Sequence, residues 1–260
     1  MSMSRWIGLD GVVNMRDMGG LPTRSGRDVV ARRLIRSDNL QDLSEADVRH
    51  LVNEVAVSDV IDLRSETEVD LTGPGPLRTV DSLTHHHHSL VATRPSEGAV
   101  ATMADALVVH QPGPEGRDAA YWTDHYRTYL DRRGEAIAAA LDVISRASGA
   151  AIVHCAAGKD RTGTVVALAL DVAGVPHDVI ADDYALTSER LDAILDRLRS
   201  VHFYGETLVT QRPEDQVPHR QTMLAILSDL EERHGGSEAW LRDQGWDAGD
   251  VERLRSRLLD

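Results

Sequence analysis

The sequence predicts an α/β fold: a short, mainly parallel sheet flanked by helices, with further helical elements around it. Three observations point there. An amphipathic helix and an apolar strand follow one another over residues 44–65. AAIVHC at 150–155 is a short unbroken apolar run, the pattern of a strand buried on both faces. TGTVVALALDVAG at 162–174 then reads as a helix that is apolar nearly all round, and so buried.

The elements follow in order. LIRSD, from Leu34, reads as a short strand. Ser44 has the character of a helix N-cap, with Asp47 three residues on and Leu43 and Val48 placed as a hydrophobic staple. Val48, Leu51, Val52 and Val55 continue at helical spacing. VSDVIDLRS is the next strand; its end carries Asp62, Arg64 and Ser65. Residues 72–118 read as a variable insertion across the surface, placed to act as a lid. GPGP at 73–76 and PGPEG at 112–116 break regular structure there. Between them, TVDSLTHHHHSLV has room for one strand and GAVATMADALVVH for a short helix. Residues 118–147 read as two helices broken near Arg133-Gly134. Pro176 suits the first turn of another helix, and 187–259 is mostly helical. No repeat or low-complexity linker divides the chain, so residues 1–260 are expected to form one domain.

Composition excludes several classes. At 42% hydrophobic and 27% charged residues the chain is neither disordered nor a disulfide-stapled miniprotein. No stretch of about 18 uncharged apolar residues occurs, so no stable membrane insertion is expected. A formal net charge of −14 argues against a nucleic-acid partner, while leaving room for a small positive pocket. One cysteine cannot form an internal disulfide, which fits a reducing compartment. The first residues carry no apolar signal core. A cytoplasmic location is therefore expected, with export by a route that uses no signal peptide left open.

The chemistry lies in HCAAGKDRTG, His154 to Gly163. A loop between a buried strand and a buried helix aims successive N–H groups at one centre and sets that centre at a helix N-terminus. Both features attract a phosphate. Cys155 opens the loop, where the dipole and the N–H groups favour a thiolate. Arg161 closes it with a planar fork that can hold two phosphate oxygens. The Thr162 hydroxyl is placed to hydrogen-bond the thiolate, His154 to fix the loop, and Gly158 to allow its tight path. Given the single cysteine, His, Gly, Arg and Ser/Thr at these offsets arise by chance about once in twenty thousand. A lone buried cysteine is more often a small hydrophobe, and that bland reading is set aside on this ground.

HCAAGKDRTG resembles the loop of the cysteine-based protein tyrosine phosphatase superfamily, in the form found in its atypical, PtpB-like bacterial branch. NMRDMGGLPT at 14–23, LIRSDNL at 34–40, VIDLRSETE at 60–68, YWTDHYRTY at 121–129 and HGGSEAWLRDQG at 234–245 extend the resemblance along the chain. The resemblance implies a tyrosine-phosphatase-like fold and phosphate-monoester hydrolysis through a phosphocysteine, with no metal or cofactor. Phosphorylated proteins are the implied substrates: phosphotyrosine first, phosphoserine and phosphothreonine as a secondary, dual-specificity activity, and phosphoinositides as the rival class. Ala156, Ala157, Gly158, Lys159, Asp160, Arg161 and Thr162 would surround the phosphate, and inorganic phosphate would occupy the loop.

Two carboxylates are candidates for the proton donor. The chain lacks the Trp-Pro-Asp tripeptide of many tyrosine phosphatases. Asp160 is the first candidate, by the branch resemblance; its alternative role is to orient the loop. Asp62 is the second, with a structural pairing to an arginine equally expected. Lys159 is the chain's one lysine and would bring a second positive charge to a polyphosphorylated substrate. His85–His88 would face alternate sides of a strand, so a metal site is not expected there. Tyr121, Trp122, Tyr126 and Tyr129 share a helical spacing that packing explains. Two other classes remain: a phospho-ligand-binding module without turnover, and sulfur transfer of the rhodanese type. The intact Cys155, Arg161 and Thr162 speak against both.

Overall fold

The structure, a computed structural model, describes residues 4–91, 118–201, 204–205 and 213–260. Five strands form one sheet: β1 (Arg16–Asp17), β2 (Leu34–Ser37), β3 (Val57–Asp62), β4 (Thr84–His87) and β5 (Ala150–His154). Their order is β1-β2-β5-β3-β4. Every pairing is parallel except β1 with β2. The helices are α1 (Glu45–Asn53), α2 (Glu66–Thr72), α3 (Ala119–Arg132), α4 (Gly134–Arg146) and α5 (Asp160–Val172). They continue with α6 (His177–Ala185), α7 (Leu191–Ser200), α8 (Arg220–His234), α9 (Ser237–Asp243) and α10 (Ala248–Leu259).

The expected α/β architecture is present, and β5 is its centre. It pairs with β2 on one side and β3 on the other, and all five of its residues are buried. Alternation then sorts its side chains. Ala150 and Ile152 join a core with Val12, Ile35, Leu51 and Val60 on the α1 side. Ala151, Val153 and Cys155 join the larger core built with α3, α4, α5, α8 and α10. Burying Ile152 and Val153 contributes about 2 kcal/mol each. The strand therefore ends with Cys155 at the carboxyl edge of the sheet, where α/β folds bind ligands.

The Ser44 cap forms as the sequence implies: its side chain accepts from the Asp47 N–H, and Asp47 reaches back to the Ser44 N–H. The break at Arg133-Gly134 separates α3 from α4 as expected. Pro176 lies one position earlier than expected, at the N-cap of α6. Residues 73–91 hold the strand expected within TVDSLTHHHHSLV. They supply a 3-10 turn at Pro76–Thr79 and the edge strand β4, in parallel register with β3. The short helix expected at 98–110, and most of the expected lid, lie outside the described residues. Among those described, no helix is long and apolar enough to cross a membrane.

Candidate active site

Residues 155–159 link β5 to α5 in a tight turn. Gly158 takes φ +65°, and a Cβ there would lie 2.5 Å from the Ser37 carbonyl oxygen. Only glycine fits. Three successive carbonyls of this turn are held from outside. Ala156 O accepts from the Asn39 N–H at 3.0 Å. Ala157 O accepts from Asn14 Nδ2 at 3.0 Å, and Gly158 O from Arg36 Nη2 at 2.8 Å. In a trans peptide the N–H points opposite to the C=O, so pulling the carbonyls outward turns the amides of Ala157, Gly158 and Lys159 inward. The first N–H groups of α5 add to them, since a helix start has no internal acceptors for its own donors.

The outside clamps are themselves clamped. Asp183 of α6 accepts from Arg36 Nη1 at 2.9 Å, Arg16 Nε at 3.2 Å and Arg5 Nη1 at 2.7 Å. Arg16 Nη1 donates to Asn14 Oδ1 at 2.6 Å, which leaves the Asn14 amide nitrogen facing the loop. Burial alone would raise the Asp183 carboxyl, but Arg16, Arg36 and Arg5 hold it well below the usual carboxylate range. NMRDMGG and LIRSDNL thus enter the site as the loop's rear support.

Arg161, in the first turn of α5, is 5% exposed and makes a two-point pair with Glu68, at 2.5 and 3.0 Å. Glu68 is fully buried in α2. It is also the third residue of a capping box in which its carboxylate accepts from the Ser65 N–H at 2.7 Å. Tyr204 donates to it at 3.2 Å. Burial would raise the Glu68 carboxyl, yet Arg161 keeps it below its normal range. Glu68 and then Cys155 act on Arg161 in the same sense, against burial, and keep its guanidinium charged. Sequence reasoning missed Glu68, although the Ser65-Glu68 spacing repeats the signature recognised at Ser44.

Cys155 is buried, at 2% exposure. Thr162 is also buried, and its hydroxyl has no hydrogen-bond partner among the described residues. A polar atom left unmatched at this depth awaits a ligand or a thiolate. Asp160 lies in the same first turn. Its Oδ1 accepts from the Tyr126 hydroxyl of α3 and lies 3.6 Å from Lys159 Nζ. Lys159 is almost fully buried. Its ammonium donates to the Gln216 carbonyl at 2.8 Å and sits 4.2 Å from the centre of the Trp122 ring.

Asp62, at the end of β3, lies opposite His154 in the sheet register. Its carboxylate is taken by Arg64, whose Nε and Nη2 donate at 2.9 and 2.6 Å. Burial pushes His154 down to about 4, so it is neutral at neutral pH; against burial, the charge His154 takes up in acid and then the Arg64 guanidinium hold Asp62 well below its usual range. The histidine run divides as strand alternation requires: His86 pairs with Asp59, while His85 and His87 bond the Leu77 and Arg64 carbonyls. Among the described residues, no group of three His, Cys, Asp or Glu converges as a metal site.

A strand-loop-helix with cysteine and arginine at its ends is one observation; the match of the whole chain is another. A sequence model of the tyrosine phosphatase family matches residues 7–260. The chain belongs to this family. The enzyme is a cysteine-dependent phosphatase, as its loop implied. It is 32% identical to the triple specificity protein phosphatase PtpB of Mycobacterium tuberculosis, over 96% of this chain and 98% of that one. It is 28% identical to a tyrosine-protein phosphatase of Nostoc commune, over 88% of this chain and 75% of the other. Among solved structures, the catalytic core of Siw14 aligns over 96% of this phosphatase and 95% of its own chain, at 12% identity and a TM-score of 0.30.

Proposed function

We propose that this phosphatase hydrolyses phosphotyrosine in proteins through Cys155, Arg161 and Asp160. Cys155 Sγ attacks phosphorus, the bond to the leaving oxygen breaks, and a proton from Asp160 neutralises that oxygen. Water then attacks the phosphocysteine and gives a proton to Asp160; the P–S bond breaks, releasing inorganic phosphate and the thiolate. Arg161 and the inward amides hold the equatorial oxygens, and Thr162 Oγ1 donates to the sulfur as it leaves. The observation that carries this reading is the inward-facing loop fixed by Asn14 and Arg36, with Arg161 held at its end by Glu68.

Of the two carboxylates, Asp160 fits the acid role better. Asp62 is committed to Arg64 and held ionised, so it has no proton to give at neutral pH. A wider range that takes in phosphoserine, phosphothreonine and phosphoinositides is in keeping with the likeness to a protein named a triple specificity protein phosphatase.

The test is phosphate release from phosphotyrosine, phosphoserine and phosphothreonine peptides and from phosphoinositides, with Cys155→Ser as the blank. Preference for phosphotyrosine supports the reading, and preference for lipids replaces its substrate. Turnover that survives in Cys155→Ser removes the nucleophile.

A further inference from the structure

Tyr126 belongs to the aromatic face of α3 that packing accounts for, yet its hydroxyl does not end in the core. It donates to Asp160 Oδ1 and lies 2.6 Å from the hydroxyl of Tyr184 in α6. Both rings are buried, Tyr126 completely. A phenol has one proton. Tyr126 gives its proton to Asp160, so Tyr184 must donate to Tyr126, and the hydrogen bonds run one way: Tyr184 to Tyr126 to Asp160. Such a chain polarises each member. Burial, together with Asp160 itself, raises both phenols far above their ordinary range, so both stay protonated and remain donors throughout turnover.

The chain of bonds also distinguishes the two oxygens of Asp160. Oδ1 is taken by Tyr126, with the Lys159 ammonium 3.6 Å away. Oδ2 makes no hydrogen bond with any described residue and is left to hold the proton. We propose that Tyr126, backed by Tyr184, is the positioning residue of the acid step: it fixes Asp160 by Oδ1 so that Oδ2 carries the proton to the leaving oxygen. The inference rests on Asp160 being the acid. As that proton departs, Asp160 becomes a carboxylate, and a hydrogen bond to a charged acceptor is stronger than one to a neutral carboxyl. Tyr126 therefore favours the transferred state over the starting one, which is what lowers a barrier.

The arrangement makes a specific demand. A leaving group that is stable as an anion needs no proton, so losing Tyr126 should matter little for it. An unactivated phenol or alkanol does need one.

The experiment compares Tyr126→Phe, Asp160→Asn and the double variant on a phosphotyrosine peptide and on para-nitrophenyl phosphate. Tyr126→Phe keeps the ring and its packing. The expected loss in kcat/KM is about tenfold on the peptide and under threefold on the activated ester. Vanadate affinity should be retained, since the oxyanion cradle is untouched. In the Asp160→Asn background, Tyr126→Phe should cost nothing further. Equal losses on both substrates, with Asp160→Asn still selective, overturn the positioning role alone. Equal losses from Asp160→Asn as well overturn the acid assignment and this inference with it. If Tyr126→Phe does not fold, Tyr184→Phe removes only the outer bond. It should show the same selectivity at smaller size, and a uniform loss there also overturns the proposal.

Discussion

Arg161 and Glu68 are joined at two points, Nη1 to Oε2 at 2.5 Å and Nη2 to Oε1 at 3.0 Å, in a buried pair. The fork of the arginine is thereby aimed before any substrate arrives. Glu68 is in turn fixed by the first turn of α2, so the orientation of Arg161 depends on a helix cap in another part of the chain.

Glu68→Ala should leave a buried guanidinium without a counter-charge. The expected cost is about 3–5 kcal/mol, read by chemical denaturation. Glu68→Gln keeps one acceptor and should cost less, while lowering kcat/KM about ten- to a hundredfold. Normal kinetics in Glu68→Gln would mean that the loop alone aims Arg161.

Gly158→Ala should close the loop's function more than its fold. The added Cβ meets the Ser37 carbonyl at 2.5 Å and the Asp38 nitrogen at 2.6 Å, and φ is +65°. We expect about 2 kcal/mol of destabilisation and turnover reduced at least a hundredfold, with the helical circular dichroism retained. Tight vanadate binding by this variant would show that the amides still converge.

Acid should destabilise the protein in two steps. His154 is buried and pushed down to about 4, against an unfolded value near 6.5. Its depressed pKa means that the unfolded chain binds the proton first. Stability is complete above about pH 6.5 and falls by roughly 3 kcal/mol as pH drops towards 4. Asp183, Asp62 and Glu68 are held below their ordinary range, so their contribution is lost only below about pH 4. Denaturation midpoints at pH 7, 5 and 3.5 would resolve the steps. A flat profile between pH 7 and 5 would mean that His154 is not buried neutral.

Lys159→Ala should affect singly and multiply phosphorylated lipids by similar factors. The ammonium is already engaged by Gln216 and the Trp122 face, and the cation–ring contact contributes about 1 kcal/mol. The check is KM for a mono- and a bisphosphorylated phosphoinositide. A rise confined to the bisphosphate would show that Lys159 leaves these partners for the substrate.

Much of the site was readable because its signals are local. The apolar run of β5, the glycine, and the Cys155-to-Arg161 spacing lie within one short stretch, and alternation and helix periodicity fix their surroundings. The Asp62–Arg64 pair is equally local, two residues apart, although the sequence left its role open. What was not legible is long-range. Asp183 gathers Arg5, Arg16 and Arg36 from a distant part of the chain, and nothing near any of them marks it as buried. Tyr126 was read as packing, which its burial agrees with; its hydroxyl matters only because α3 crosses above the first turn of α5. The edge strand β4 falls where TVDSLTHHHHSLV left room for one, although nothing in the sequence signalled that it pairs with β3, and β1 is too short to produce a pattern.

The burial of Lys159 has a consequence for handling the protein. The chain contains a single side-chain amine, and it sits at the end of the loop between β5 and α5, under Gln216. Amine-directed acylation would therefore modify, besides the α-amino group, one interior position rather than a scattered surface population. Its rate would report how often the loop's cover opens, and its protection by an oxyanion would count occupied sites without any enzymatic assay.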